Sequence, residues 1–375
     1  MLLDSQSDSR FTSRSPSAPR SLRLAGMAAL AYILVIIYAS LQPFVDWRDL
    51  HGEFGNFLFA PWPRWITIDD VLFNFVAYVP LGFLLTLAWS VRWNTRIAVV
   101  MAAISCVALS LVLETAQQHL PARIASNVDL LINSFGGAVG ALIAPLFAPG
   151  RRLGAELALL RGRWFVTGAR GDSVLVLAGL WLIAQLHTPL VAFGNGDLRS
   201  SLELAGLIAY TPGSYLAAEA GVVMLNTAGL GLLLASAARD TAAGYWRALA
   251  LIVAGACVLN AAAALLVLRA PNPWNWLTPG VGIGLGAALV LLLVLTRLPH
   301  RGRAAVALLA LAAAVILVNI TPANPYRPMP PHLLQGHASH ILSFASMTRA
   351  LSDLWPFLAM LCALFSLTAR RKAGY

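Results

Sequence analysis

Apolar runs of close to twenty residues recur along the whole length of this chain, with only short polar joints between them. About 20 apolar residues are what an α-helix needs to cross the hydrocarbon core of a bilayer. Of the 375 residues, 59% are hydrophobic and 11% charged, whereas a soluble domain carries about 25% charged residues. The expectation is an all-α, polytopic integral membrane helical bundle with about ten transmembrane helices and no sizeable soluble domain. The spans are read at about 22–43, 68–90, 97–119, 128–148, 173–191, 216–237, 248–268, 276–297, 304–321 and 351–369.

The formal net charge of +10 invites a nucleic-acid reading, but its distribution argues for topology. With both termini cytoplasmic, 19 of the 26 Lys and Arg residues fall on inner segments and 7 on outer ones. That is the positive-inside bias of a multi-pass protein of a bacterial plasma (inner) membrane, and no nucleic-acid partner is implied. Cys106, Cys257 and Cys362 all fall within expected spans, so a periplasmic disulfide framework is not expected. The first apolar stretch is too long for a signal peptide and is read as a retained anchor.

Residues 1–21, rich in Ser, Arg and Pro, read as a disordered cytoplasmic tail. Four spans follow (22–148), then a basic cytoplasmic loop (149–172), then a six-helix extension (173–375). An offset of 146 residues aligns Arg123 with Arg269, Gly136 with Gly282 and Gly140 with Gly286, and puts Asn260 and Asn275 opposite Glu114 and Asp129. This leaves open a degenerate parallel repeat at the start of the extension. The first outer loop carries Phe44, Trp47, Phe54, Phe57, Phe59, Trp62 and Trp65. It reads either as an interfacial aromatic belt or as a lid.

Against this background, seven polar residues between 70 and 140 stand out: Asp70, Asn74, Glu114, Gln117, Arg123, Asp129 and Asn133. A charge at the centre of a transmembrane helix costs roughly 2.5–3.5 kcal/mol on insertion scales, so such groups are usually paired, interior and functional. Asp70 and Asn74 are i,i+4, as are Asp129 and Asn133, and Glu114 and Gln117 are i,i+3; each pair shares one helix face. Up-and-down threading places all three pairs at similar depth near the outer surface. Gly136 and Gly140 extend the Asp129–Asn133 stripe as a small-xxx-small packing face. The bland reading is equally concrete: first-turn carboxylates meet helix dipoles, and asparagines bond neighbouring helices. Glu114 is too deep for that account, and Arg123 is its obvious partner.

The string Asp70-Val-Leu-Phe-Asn74-Phe-Val-Ala-Tyr78-Val-Pro80-Leu81-Gly82, with Glu114-Thr-Ala-Gln117, Arg123, and Asp129-Leu-Leu-Ile-Asn133-Ser-Phe-Gly136 through Gly140, resembles a VanZ-like domain over about residues 25–148. The resemblance implies a cell-envelope membrane protein, in a family associated with resistance to the glycopeptide teicoplanin. Three functional classes stay open. An envelope binding protein would use Arg123 and the helix ends to hold a membrane lipid, a lipid-linked cell-wall precursor or a glycan. A membrane-embedded enzyme would use Glu114 with Asp129 or Asp70 as acid and base. A transporter or flippase would exploit the repeat. No cofactor is implied. His332, His337 and His340 lack partner ligands and are not taken as a metal site.

Overall fold

The computed structural model describes residues 20–42, 44–49, 55–62, 66, 68–121, 123–148, 150–187, 191–199, 207–208, 210–240, 243–321 and 339–368. Residues 1–19 of the expected tail, Phe54 and Trp65 of the aromatic loop, His332 and His337 lie outside this set. Within it the elements are helical: α1 (Arg20–Leu41), α2 (Ile68–Trp89), α3 (Thr95–Gln117), α4 (Asn127–Ile143), α5 (Arg152–Trp164), α6 (Ala169–Ala184), α7 (Pro212–Ala237), α8 (Ala243–Leu266), α9 (Pro279–Leu295), α10 (His300–Ile320) and α11 (Ser339–Thr368).

Eight of these helices are long and apolar enough to cross a membrane, which makes this a multi-pass membrane protein. The other two expected spans, 173–191 and 276–297, overlap α6 and α9, which are only 16 and 17 residues long. Thr278-Pro279 starts α9, and α6 runs from Ala169 only to Ala184, past which Gln185 accepts from the Phe193 N–H of the following segment at 3.1 Å. The joint expected as a plain basic loop at 149–172 contains α5. Its Leu153, Leu157 and Leu160 recur at i, i+4 and i+7 and are all exposed, the stripe of an amphipathic helix. Thirteen residues are too few to span a bilayer.

Helix starts follow the local chemistry. Asn94 caps α3 by accepting from the Ile97 N–H at 3.0 Å. Thr211 and Ser214 form a reciprocal capping box at α7, and Pro212 and Pro279 open their helices where no intrahelical N–H partner is needed.

Two large buried clusters form among the described residues. One gathers Tyr32, Tyr78, Leu81, Leu85, Cys106 and Leu113 from α1, α2 and α3. The other is built around α7, whose residues from Asn226 to Ala237 are all buried. A helix apolar on every side must be enclosed by others, and α9 and α10 supply the enclosure. Helices α1, α6 and α11 meet along the seam between the two clusters.

In the first cluster α2 lies against α4 with almost no side chains between them. A Cβ added at Gly82 would overlap the Gly137 carbonyl, at Gly136 that of Phe75, and at Gly140 that of Val79. The expected small-residue face is therefore in use, and it includes Gly82 and Gly137 as well. Gly282 and Gly286, their counterparts at the 146-residue offset, meet nothing within 4 Å among the described residues.

Candidate functional site

The close α2–α4 approach brings the polar stripes of the two helices together. The Asn74 amide donates to Asp129 Oδ1 at 3.0 Å. One turn deeper on α4, the Asn133 amide donates to Ser110 Oγ of α3 at 3.0 Å. Glu114, 4% exposed, accepts from the backbone N–H of Ser126 at 2.8 Å through Oε2. Ser126 is the N-cap of α4, so this carboxylate satisfies a donor that the helix start leaves open and fixes α3 against α4. Gln117 donates to the Ser40 carbonyl of α1 at 3.0 Å. Asp70 sits half-buried in the first turn of α2.

Arg123 departs from expectation. Its guanidinium donates to the Gln42 carbonyl at 2.9 and 2.6 Å and to the Ala39 carbonyl at 3.1 Å. These are the last carbonyls of α1, where the negative end of the helix dipole favours a cation. Burial lowers the Arg123 pKa from its ordinary value. The partner expected for Glu114 is thus engaged as a cap, and Glu114 is held by Ser126 instead.

A cavity of about 60 Å³ lies among these groups, lined by Ser40, Asn74, Tyr78, Glu114, Gln117 and Asn133. Asp70, Arg123 and Asp129 do not line it, and Asp129 acts from behind Asn74. Asn133 Oδ1 is buried and accepts no hydrogen bond. Such an orphaned acceptor costs about 1–3 kcal/mol unless a donor reaches it. A water needs about 10–15 Å³ of such space, so the cavity takes a few atoms and not a whole sugar ring.

The aromatic loop is tied to the α3–α4 turn above the cavity. The Gly55 N–H donates to Gln118 Oε1 at 3.1 Å, the Arg48 N–H to the His119 carbonyl at 2.7 Å, and the Asn127 amide to the Ala60 carbonyl at 2.7 Å. Phe57 is buried, while Phe59 and Trp62 project outward.

Asp70, Asn74, Glu114, Gln117, Asp129 and Asn133 thus lie on three packed helices, α2, α3 and α4, with Arg123 in the turn that joins α3 to α4. Residues 9–148 match the VanZ/LLP1 family model. The match covers a segment of the chain and leaves the extension outside it. Neither the comparison with curated proteins nor that with solved structures gave a match.

Outside the VanZ/LLP1 segment, the extension holds a second polar cluster that reasoning from sequence missed. Residues 192–196 are non-helical yet buried, with Phe193 at φ 64° and Gly196 at φ 85°. Non-helical backbone at such burial has to be satisfied by protein. Here the Asn319 amide donates to the Gly196 carbonyl at 2.7 Å, the Gly196 N–H to the Ser352 carbonyl at 3.0 Å, and the Asn195 amide to Ser352 Oγ at 3.1 Å. Asp197 and Arg199 form a two-pronged ion pair at 2.9 and 2.7 Å. Burial opposes the charge on Asp197, but the Arg199 hydrogen bonds and charge hold its carboxyl below the ordinary value of 3.8. The Asn195-Gly196-Asp197 string was the available signal, and it reads from sequence as an ordinary turn.

Proposed function

We propose that this multi-pass membrane protein acts in the cell envelope, and that its VanZ/LLP1 segment binds a hydrogen-bond-donating group of an envelope molecule at its outer face. The observation that carries this reading is the buried, unpartnered Asn133 Oδ1 in a cavity it shares with the Glu114 carboxylate. A carboxylate and amide oxygens select an amine or hydroxyl over a phosphate. With Arg123 engaged on α1, the lining presents no guanidinium to an anion. The cavity admits one such group. The rest of the ligand, a lipid-linked wall precursor or glycan in this reading, lies outside it under the aromatic loop. A role in glycopeptide resistance is consistent with such a ligand and belongs to the same proposal.

The test is native mass spectrometry of the full chain purified in mild detergent. An envelope lipid retained by the wild type is expected to be lost in Glu114→Gln and Asn133→Leu, and kept by Arg123→Lys. Retention unchanged in both cavity variants would overturn the reading. If incubation converts the ligand rather than merely retaining it, and Glu114→Gln abolishes the conversion, the enzyme reading replaces simple binding.

A further inference from the structure

At the opposite end of the bundle from this cavity, α1, α6 and α11 leave a groove of about 820 Å³ between them. Its mouth is polar, with Arg170 and Ser173 on the first turns of α6 and Ser366 in the last turn of α11. Deeper in, Leu34, Leu180 and Leu358 line it. From Arg170 to Leu180, ten residues of α6 rise about 15 Å. That is half of a hydrocarbon core of about 30 Å, so the groove has the length of one leaflet.

The mouth has a marked charge preference. Arg170 donates through Nη2 to the Ser236 carbonyl at 2.9 Å, but its Nε is buried and donates to nothing. Among the described residues no carboxylate lines the groove, and the nearby Asp172 is engaged by Arg161. Arg23, exposed one helical turn before the groove residue Met27, lies on the same face of α1 and adds a second cation at this end. A second apolar cavity of about 380 Å³ flanks α1 on its other side. The seam between the VanZ/LLP1 segment and the extension is therefore filled incompletely by the described side chains.

We propose that this groove is a specific site for one anionic phospholipid of the adjoining leaflet, with its phosphate at Arg170 and an acyl chain running between α1 and α11. The positive-inside distribution makes that leaflet the cytoplasmic one. The lipid completes the contact between the two halves of the protein. A guanidinium with an unused, buried N–H suits a phosphate oxygen, and the leucine-lined length suits a chain.

The experiment uses the full-length protein, delipidated in mild detergent and read by native mass spectrometry. It is incubated separately with dioleoyl-phosphatidylglycerol, dioleoyl-phosphatidylcholine and inorganic phosphate. The wild type is expected to retain one phosphatidylglycerol about fivefold more than phosphatidylcholine, the preference one basic contact near a membrane surface supplies. Phosphate alone is not retained, because the acyl chain is needed. Arg170→Gln brings phosphatidylglycerol down to the phosphatidylcholine level. Leu30→Trp changes an exposed groove residue (60% exposed) without disturbing the buried clusters, and it lowers retention of both lipids. Equal retention of the two lipids by the wild type would overturn the proposal. So would an unchanged phosphatidylglycerol preference in a folded Arg170→Gln, or wild-type retention in Leu30→Trp. Retention of phosphate alone would replace the lipid with an anion site.

Discussion

Gly140→Ala tests how much stability the close α2–α4 contact carries. The new Cβ would overlap the Val79 carbonyl oxygen and press on Phe83 N. Neither atom can rotate away as a side-chain tip would, so the helices must separate locally by roughly 1 Å, an overpacking that costs about 1–3 kcal/mol. Alanine's better helix propensity returns up to about 1 kcal/mol. The net expectation is a destabilisation of about 1 kcal/mol. Gly179→Ala provides the control, since a Cβ there meets nothing within 4 Å among the described residues; it is expected to be neutral or slightly stabilising. The assay is thermal unfolding of both variants and the wild type in the same nanodisc lipid, read by circular dichroism. If Gly140→Ala unfolds at the same temperature as Gly179→Ala, the close helix contact does not carry the stability assigned to it.

Three further outcomes are expected. Arg123→Ala removes three charge-assisted bonds from the end of α1 and costs about 2 kcal/mol in thermal unfolding, while retention of an added envelope ligand per folded molecule stays unchanged; loss of the ligand without loss of stability would return Arg123 to the binding site. Asp172→Asn leaves the mostly buried Arg161 without its anion and is expected to cost about 3–5 kcal/mol, seen as a lower unfolding temperature that Arg161→Met on the same background partly restores. Asp197 has a carboxyl pKa below 3.8 in the fold because Arg199 outweighs burial. The folded state therefore binds its proton less readily than the unfolded chain does. Its contribution is complete above about pH 4 and is lost as pH falls further through the folded value. The difference in unfolding temperature between wild type and Asp197→Asn should accordingly shrink as pH falls below 4, and a constant difference would contradict the ion-pair account.

The cavity residues were legible in the sequence because polar residues are so few in this chain. Asn74, Glu114, Gln117 and Asn133 stood out against apolar surroundings, and helical spacing put each on a shared face with its neighbour. Their partners were not legible. Ser110 and Ser126 look like any small hydroxyls in an apolar helix and a turn, and nothing local marks Ser110 as the acceptor of Asn133 or Ser126 as the donor to Glu114. The glycines read as a packing face on α4 lie against α2 carbonyls, while Gly82, their counterpart on α2, gained its meaning only from the contact itself.

By itself, the sequence determined that the chain is helical and made of membrane-length segments, because length, hydropathy and caps act within a few residues of one another. It also determined which three helices would carry the polar groups. The tertiary structure alone decided what those groups touch. The rotation of each helix about its axis and the α2–α4 distance set whether Glu114 meets Arg123 or Ser126, and they place Arg123 on the end of α1. The same holds for residues 192–196, where a stretch that reads as a surface turn is buried because Asn319 and Ser352, more than a hundred residues away, satisfy its backbone.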